Sequence, residues 1–216
     1  MQYSPNNRLQ TRCDSIRRLK SNVQMEGGTM TEPKAVSELR ELDWDSIPSS
    51  SGVYWWYFPQ QEIKALGVAE LCNLDQLHLR RASDGKVCLY HGMAKNLSQR
   101  IEWHAAQSLT LKHLQSGFLS TFRFSLLALN NFDYFREEEE INKYFDKLAV
   151  GWQLAETRDE AKSMEDHELC GEYHYPLNIQ GNRRPELIQY IRYLKSTRSA
   201  YKRRFLDSLE KYHVLK

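Results

Sequence analysis

The sequence is poor in residues that interrupt regular structure: its 216 residues include only 10 glycines and 6 prolines. This composition excludes collagen-like and low-complexity chains. The chain also has little net charge, because 30 basic residues are balanced by 28 acidic ones. With 41% hydrophobic and 27% charged residues, it is typical of one ordinary globular domain with extensions, or of two small domains.

Cysteine is scarce as well. The four cysteines lie far apart in the chain, at Cys13, Cys72, Cys88 and Cys170. Without a CxxC pair, the sequence predicts neither a disulfide scaffold nor a zinc ribbon. His167, Cys170 and His174 do lie within eight residues of one another, and zinc prefers nitrogen and thiolate ligands. Because no fourth ligand follows at short spacing, we interpret them as ordinary helix and loop residues.

Long apolar runs are absent. No stretch approaches the roughly 18 residues that cross a bilayer. Residues 1–20 are basic, but no apolar stretch follows them as it would in a signal peptide. We therefore expect a cytoplasmic protein without a membrane segment.

The low net charge conceals segments of opposite sign. Residues 1–20 hold five basic residues and one acid (+4), and residues 181–216 hold ten basic residues and three acids (+7). Residues 131–172 hold five basic residues and thirteen acids (−8). This distribution is typical of proteins that handle polyanions and metal ions, although solvated helix faces produce it too.

Hydrophobic periodicity predicts a mixed α/β (α+β) protein. Short β-branched and aromatic runs favour strands at residues 53–58, 86–90 and 149–155. Apolar residues at helical spacing favour helices within 60–83 and over 94–109, 136–148, 158–173 and the segment after Pro185. Residues 120–130 could form a helix or a strand, and we favour a helix. We divide the chain into a polar N-terminal extension (1–45), a central domain (46–182) and a basic amphipathic C-terminal helix (183–216).

Three polar residues lie on or near the second predicted strand. Arg100 and His104 stand four apart, so they share one helical face and can reach toward the strand that carries Tyr90. Individually each has an ordinary explanation: a strand tyrosine packs, a helical arginine is solvated, and a histidine is a satisfied polar group.

Considered together, the motifs carry a resemblance. Gly52-Val53-Tyr54 precedes Tyr90-His91-Gly92, and Asn96-Leu97, Arg100-Ile101 and His104 follow. This order resembles the GIY-YIG nuclease superfamily, whose signature is two tyrosine tripeptides followed by such a helix. The resemblance implies a small three-stranded antiparallel sheet flanked by helices.

The resemblance extends to about residue 182. Glu165 on a predicted helix, followed by Pro176 and Asn178, looks like the family's metal-binding glutamate and closing motif, and the block Ser120–Arg123 is similar to a segment of some members. Glu168, three residues off the family spacing, is the second choice as metal ligand. The run Glu137–Glu140 points in four directions around a helix, so we interpret it as a solvated face.

Two departures from the family pattern stand out. His91 occupies a position that is aliphatic in the family, which places a polar ring in the core. Tyr54 and Tyr90 lie 36 residues apart, so residues of about 60–85 form an insertion. Its Arg80-Arg81 pair slightly favours a role of this insertion in substrate contact.

The resemblance implies a mechanism for hydrolysing a phosphodiester. Tyr54 or Tyr90 takes the proton from water, Arg100 binds the scissile phosphate, and His104 hydrogen-bonds a tyrosine or the phosphate. Glu165 holds one Mg²⁺, with Mn²⁺ as the alternative; a hard ion that keeps several waters needs only one or two carboxylates. Further contacts with nucleic acid are expected from Lys95, Arg123, Asn178, Arg183 and Arg184.

The leading functional hypothesis is a metal-dependent DNA endonuclease of a restriction or defence type. RNA stays open as a substrate, as does the oligomeric state, a dimer included. The alternatives are a non-catalytic nucleic-acid-binding module on the same scaffold and a repair or structure-specific nuclease.

Overall fold

The computed structural model describes residues 29–182 and 184–214, and these form one antiparallel sheet and nine α-helices. The strands are β1 (Lys34–Ala35), β2 (Gly52–Phe58), β3 (Val87–Ala94) and β4 (Ala149–Leu154). The helices are α1 (Val36–Glu41), α2 (Glu62–Ala65), α3 (Val68–Leu71), α4 (Leu97–Ala106), α5 (Leu111–Ser116), α6 (Thr121–Leu129), α7 (Glu138–Asp146), α8 (Arg158–Cys170) and α9 (Ile188–Val214).

The sheet has four strands in the order β1-β4-β2-β3, whereas the sequence predicted three. The additional strand, β1, consists of Lys34 and Ala35, which pair with Val150 and Ala149 of β4. Two residues cannot show the alternation of polar and apolar side chains that marks a strand, so the sequence carries no signal for β1. The three predicted strands are confirmed, with β3 reaching four residues beyond its predicted end.

The central strand explains the unbroken aromatic run in the sequence. β2 pairs with β3 on one edge and with β4 on the other, and all seven of its residues are buried. Tyr54, Trp56 and Phe58 face the larger core, while Val53, Trp55 and Tyr57 face a smaller one. Because helices cover both faces, the strand is apolar on both sides rather than alternating.

Side-chain caps set the starts of the helices around the sheet. Asn96 accepts from the backbone N–H of Gln99 at the start of α4, and Ser120 accepts from that of Arg123 at the start of α6. Thr157 caps α8 in the same way. Such caps satisfy N–H groups that have no partner within the helix. The helices predicted over 94–109, 120–130, 136–148 and 158–173 are confirmed with shorter bounds.

The insertion between β2 and β3 is partly helical, as predicted. It contains α2, α3 and a 3₁₀ turn at Leu74–Gln76. Several contacts hold it on the fold: among them, Tyr190 donates from its hydroxyl to the carbonyl of Leu66 (3.0 Å), and Arg80 pairs with Glu168 (2.7 Å). Arg80 therefore anchors the insertion to α8, and the role of this insertion in substrate contact stays a prediction.

The C-terminal helix α9 packs on the fold, chiefly against α6. Its apolar stripe is buried, with Tyr190 and Leu194 fully inaccessible and Tyr201 at 4% exposure. The predicted amphipathic helix is thus confirmed, and its apolar face closes the larger core. Removing this helix would expose that core.

The chain also enters the fold earlier than the predicted extension suggests. Val36 and Leu39 of α1 are fully buried, and the backbone N–H of Val36 donates to the carbonyl of Leu148 (3.0 Å). Residues 1–28, where most of that extension falls, lie outside the described residues. No helix among the described residues is both long and apolar enough to cross a bilayer.

Candidate active site

The phenol of Tyr54 lies across the neighbouring strand at the centre of the site. Tyr54 on β2 is paired with Gly92 on β3. A methyl group on Gly92 would lie 2.5 Å from the Tyr54 hydroxyl oxygen, so only glycine leaves room for this phenol. The glycine of the second tripeptide therefore positions the tyrosine of the first.

Two side chains of α4 reach the hydroxyl of Tyr54. His104 places Nε2 at 2.8 Å from the oxygen, and Arg100 donates from Nε at 3.4 Å. They reach it together because residues four apart share a helical face. Tyr90 on β3 lies beside them, with its ring centroid 6.4 Å from that of Tyr54 and 5.8 Å from that of His104. The four residues that the sequence singled out are thus brought together.

Ser120 completes the cluster, and the sequence did not predict it as a site residue. Its hydroxyl oxygen lies 2.5 Å from Nδ1 of His104 and accepts the backbone N–H of Arg123 at 3.1 Å. When the hydroxyl donates its proton to Nδ1 of His104, the imidazole proton lies on Nε2 and faces Tyr54. A serine before an apolar helical run is a recognisable cap signal, but its link to His104 depends on the fold.

Burial shapes the acid–base properties of the cluster. It raises the pKa of Tyr54 above its ordinary value, and the positive charge of Arg100 opposes this effect. Burial and the neighbouring Tyr54 raise the pKa of Tyr90 still more clearly. Burial, together with Arg100 and Arg123, holds the pKa of His104 well below its ordinary value. At neutral pH, His104 is therefore a neutral hydrogen-bonding group.

Glu165 lies on α8, which packs against β2 and β3. Its negative charge contributes to the raised pKa of Tyr54 and of Tyr90. Its carboxylate is paired with Lys162 through Oε2 (2.8 Å), and its side chain is 18% exposed. No group of three or more His, Cys, Asp or Glu in the described part of the chain could hold a metal ion. A single, partly exposed carboxylate such as that of Glu165 fits an ion such as Mg²⁺ or Mn²⁺, which accepts one carboxylate and completes its shell with water.

Glu168, the rival metal ligand, is occupied by structural contacts. It accepts from the hydroxyl of Tyr175 and pairs with Arg80 at 2.7 Å. Although burial favours its neutral form, these two partners hold the pKa of Glu168 below its ordinary value. Its carboxylate ties the insertion to α8, which favours Glu165 for the ligand.

His91 and Asn178 form a buried clamp. Asn178 accepts the backbone N–H of His91 (2.9 Å) and donates to its carbonyl (2.7 Å). The His91 ring stacks on Trp55, with centroids 5.0 Å apart, and Nδ1 lies 3.1 Å from the carbonyl oxygen of Tyr54. The predicted contact of Asn178 with nucleic acid is thus wrong: its amide is buried and holds β3 in place.

The other predicted nucleic-acid contacts divide between surface and core. Arg123 is fully buried and donates to the carbonyl of Ala105 (2.9 Å) and to Asn142 (2.6 Å), so its predicted contact with nucleic acid is wrong. Arg184 donates to the carbonyl of Gly171. Lys95 is exposed beside the site. Arg183 lies outside the described residues.

The comparisons with known proteins agree with this geometry. The family model of the GIY-YIG catalytic domain matches residues 52–200, more than half of the chain. The protein therefore belongs to the GIY-YIG nuclease family. No curated protein and no solved structure matches the chain significantly.

Proposed function

We propose that the protein is a metal-dependent endonuclease that hydrolyses phosphodiester bonds in DNA, in a restriction or defence role. The observation that carries this proposal is the convergence of Arg100 and His104 on the hydroxyl of Tyr54. Without Arg100 beside it and the charge of Glu165 acting on it, the Tyr54 hydroxyl would be an ordinary core group. A decayed scaffold would be expected to have lost one of these groups.

Tyr54 is the better general base of the two tyrosines. In the tautomer with the proton on Nε2, His104 donates to the Tyr54 oxygen, and Arg100 donates as well. Hydrogen bonding from Tyr90 also lowers the pKa of Tyr54, whereas the same bond raises that of Tyr90. Donors that converge on one oxygen stabilise its phenolate against the effect of burial, and this phenolate of Tyr54 is the form that accepts the proton of the attacking water.

Arg100 is positioned to bind the scissile phosphate. Its guanidinium lies 4.6 Å from the ring of Trp103 and, among the described residues, forms no salt bridge. A planar guanidinium matches two phosphate oxygens at once. Arg100 would thereby neutralise charge that develops on the phosphate while also supporting the Tyr54 phenolate.

Glu165 is the residue that would hold the metal ion. When bound, Mg²⁺ or Mn²⁺ would supply positive charge for the leaving oxygen. Lys162 orients the carboxylate of Glu165, because its ammonium group contacts Oε2 of Glu165 at 2.8 Å. The same group also contacts Asp166 at 2.8 Å.

The proposal predicts that Tyr54→Phe and Glu165→Gln each reduce cleavage to background while DNA binding is retained. Removing a general base costs roughly 10²-fold or more. The measurement is conversion of supercoiled plasmid with Mg²⁺, with Mn²⁺ and with EDTA, beside a bandshift in EDTA. Glu172→Gln, an exposed carboxylate one residue beyond Gly171, is the matched control and should cut like the unaltered protein.

The substrates and variants separate the alternatives. If plasmid, branched and single-stranded substrates all stay intact in both metals, the enzyme proposal fails and a binding module remains. If Glu165→Gln cuts normally while Glu168→Gln does not, the metal ligand is Glu168. Sequencing the cleaved ends then separates the roles: one recurrent sequence supports a restriction enzyme, whereas scattered or junction-centred ends contradict it.

A further inference from the structure

A groove opens beside the active site, and Arg100 is one of its lining residues. Its volume is about 740 Å³. Its walls come from the end of β3, from α4 and from the turn between α5 and α6. Two aromatic side chains, Trp103 and Phe118, lie in it with ring centroids 5.5 Å apart.

Phe118 is presented to solvent on an anchored backbone. At 65% exposure it is the most exposed large apolar side chain among the described residues. Its backbone N–H donates to the hydroxyl of Ser116 (3.2 Å), and its carbonyl accepts from the amide of Gln107 (2.8 Å). The main chain is thus held on both sides while the ring stays uncovered, an arrangement that lowers the entropic cost of binding a ligand on it.

The groove is continuous with the catalytic cluster. Trp103 contacts Phe118 on one side and the guanidinium of Arg100 on the other, at 4.6 Å. The groove carries three cations, Lys95, Arg100 and Arg158, against one carboxylate, Glu102. A ligand that meets these groups has a flat apolar part and a negative charge.

We propose that this groove receives an unpaired nucleic-acid base next to the scissile phosphate, stacked on Phe118. The inference rests on the proposed function, since it assumes that Arg100 binds that phosphate. Every base has a π face that stacks on an aromatic ring, but in a duplex that face is covered by the neighbouring bases. A nucleotide that is single-stranded, bulged or flipped out can stack its base on the aromatic ring and place its phosphate beside the cations.

The test measures binding without cleavage. Fluorescein-labelled oligonucleotides are titrated with the full chain in EDTA, and anisotropy gives the affinity for three DNAs of one sequence. These are a perfect duplex, the duplex with one bulged nucleotide, and the same bulge with its base removed. The unaltered protein should bind the bulged duplex roughly tenfold more tightly than the other two.

Phe118→Ala should remove this preference, and Phe118→Tyr should keep it because tyrosine also stacks. Phe118→Leu separates stacking from apolar contact and should behave like the alanine variant. Phe135→Ala is the matched control, since Phe135 is also exposed (43%) but does not line the groove. Unchanged thermal unfolding of the Phe118 variants confirms that they fold.

The inference is overturned if Phe118→Ala weakens binding to all three DNAs equally, which indicates a purely structural ring or insertion between paired bases. It is also overturned if the abasic bulge binds as tightly as the intact one. Its failure is distinguishable from that of the proposed function, because anisotropy in EDTA does not require cleavage. A bulge preference that depends on Phe118, in a protein that cuts no substrate, would support the groove and exclude the nuclease.

Discussion

At the residue scale, the two motif glycines serve different purposes. A methyl group on Gly52 would overlap the backbone oxygen of Gln153 and lie 2.8 Å from Leu97, so Gly52 permits the approach of β4 and α4. The three atoms nearest to a methyl group on Gly92 would all belong to the Tyr54 side chain. The first glycine is required by the fold, and the second by the position of one phenol.

We predict that Gly92→Ala impairs cleavage much more than stability. The added methyl must displace the Tyr54 phenol from His104 and Arg100, and a misplacement of about 1 Å can cost on the order of 10²-fold in rate. Plasmid cleavage and thermal unfolding, measured on the same preparation, give the two effects.

Gly52→Ala is the contrasting variant, because its clash is with backbone and should lower the unfolding temperature. A double variant, Tyr54→Phe with Gly92→Ala, should lose no more activity than Tyr54→Phe alone, since both act on one hydroxyl. A Gly92→Ala protein with normal cleavage would place the reacting oxygen elsewhere.

At the element scale, α9 combines a core face with a basic one. Tyr190 and Leu194 are fully buried, while Lys195 and Arg203 line a groove of about 690 Å³ between α9 and α6. Arg198 in this groove lies over Phe124 (5.4 Å), and Tyr90 counteracts the lowering of its pKa by burial. The basic face of α9 therefore borders this groove.

We predict that Lys195→Gln with Arg203→Gln weakens DNA binding and flattens its salt dependence. Removing one cation that binds a phosphate reduces the slope of log K against log salt by about 0.9 for duplex DNA. Substitution is preferable to truncation, because deleting α9 would expose the core. Affinities at four or more salt concentrations give the slope.

Lys147→Gln, an exposed cation at the end of α7 within the acidic segment, serves as the control and should leave the slope unchanged. An unchanged slope in the double variant would instead make α9 a purely structural helix.

At the scale of the whole molecule, the sequence predicts best what is local. Tyr54, Tyr90, Arg100 and His104 lie on two paired strands and the helix that follows them, so motif spacing is sufficient to bring them together. The burial of Arg123 and Asn178 could not be predicted, because arginine and asparagine are usually exposed. Their buried partners come from Asn142 and from β3, which only the tertiary fold brings near.

The fold also buries histidines that titrate, and this affects the stability of the whole chain. Burial lowers the pKa of His91 to about 4, and the pKa of His104 is shifted in the same direction. Both side chains are fully inaccessible. A histidine whose pKa is lower in the folded state binds its proton in the unfolded state first, so stability is complete above about pH 6.5 and falls below it.

We predict that the free energy of unfolding decreases as the pH falls from 8 to 5. A shift of the His91 pKa from 6.5 to about 4 accounts for about 2 kcal/mol of this loss, and His104 adds to it. His91→Leu places an apolar side chain at this core position and should reduce the loss by about that amount, as measured by urea unfolding at both pH values. At pH 8, His91 is neutral in both the folded and the unfolded state. The free energy of unfolding of the two proteins should therefore change equally steeply with urea concentration at this pH. If the variant loses as much stability between pH 8 and pH 5 as the unaltered protein, the acid sensitivity originates in groups other than His91.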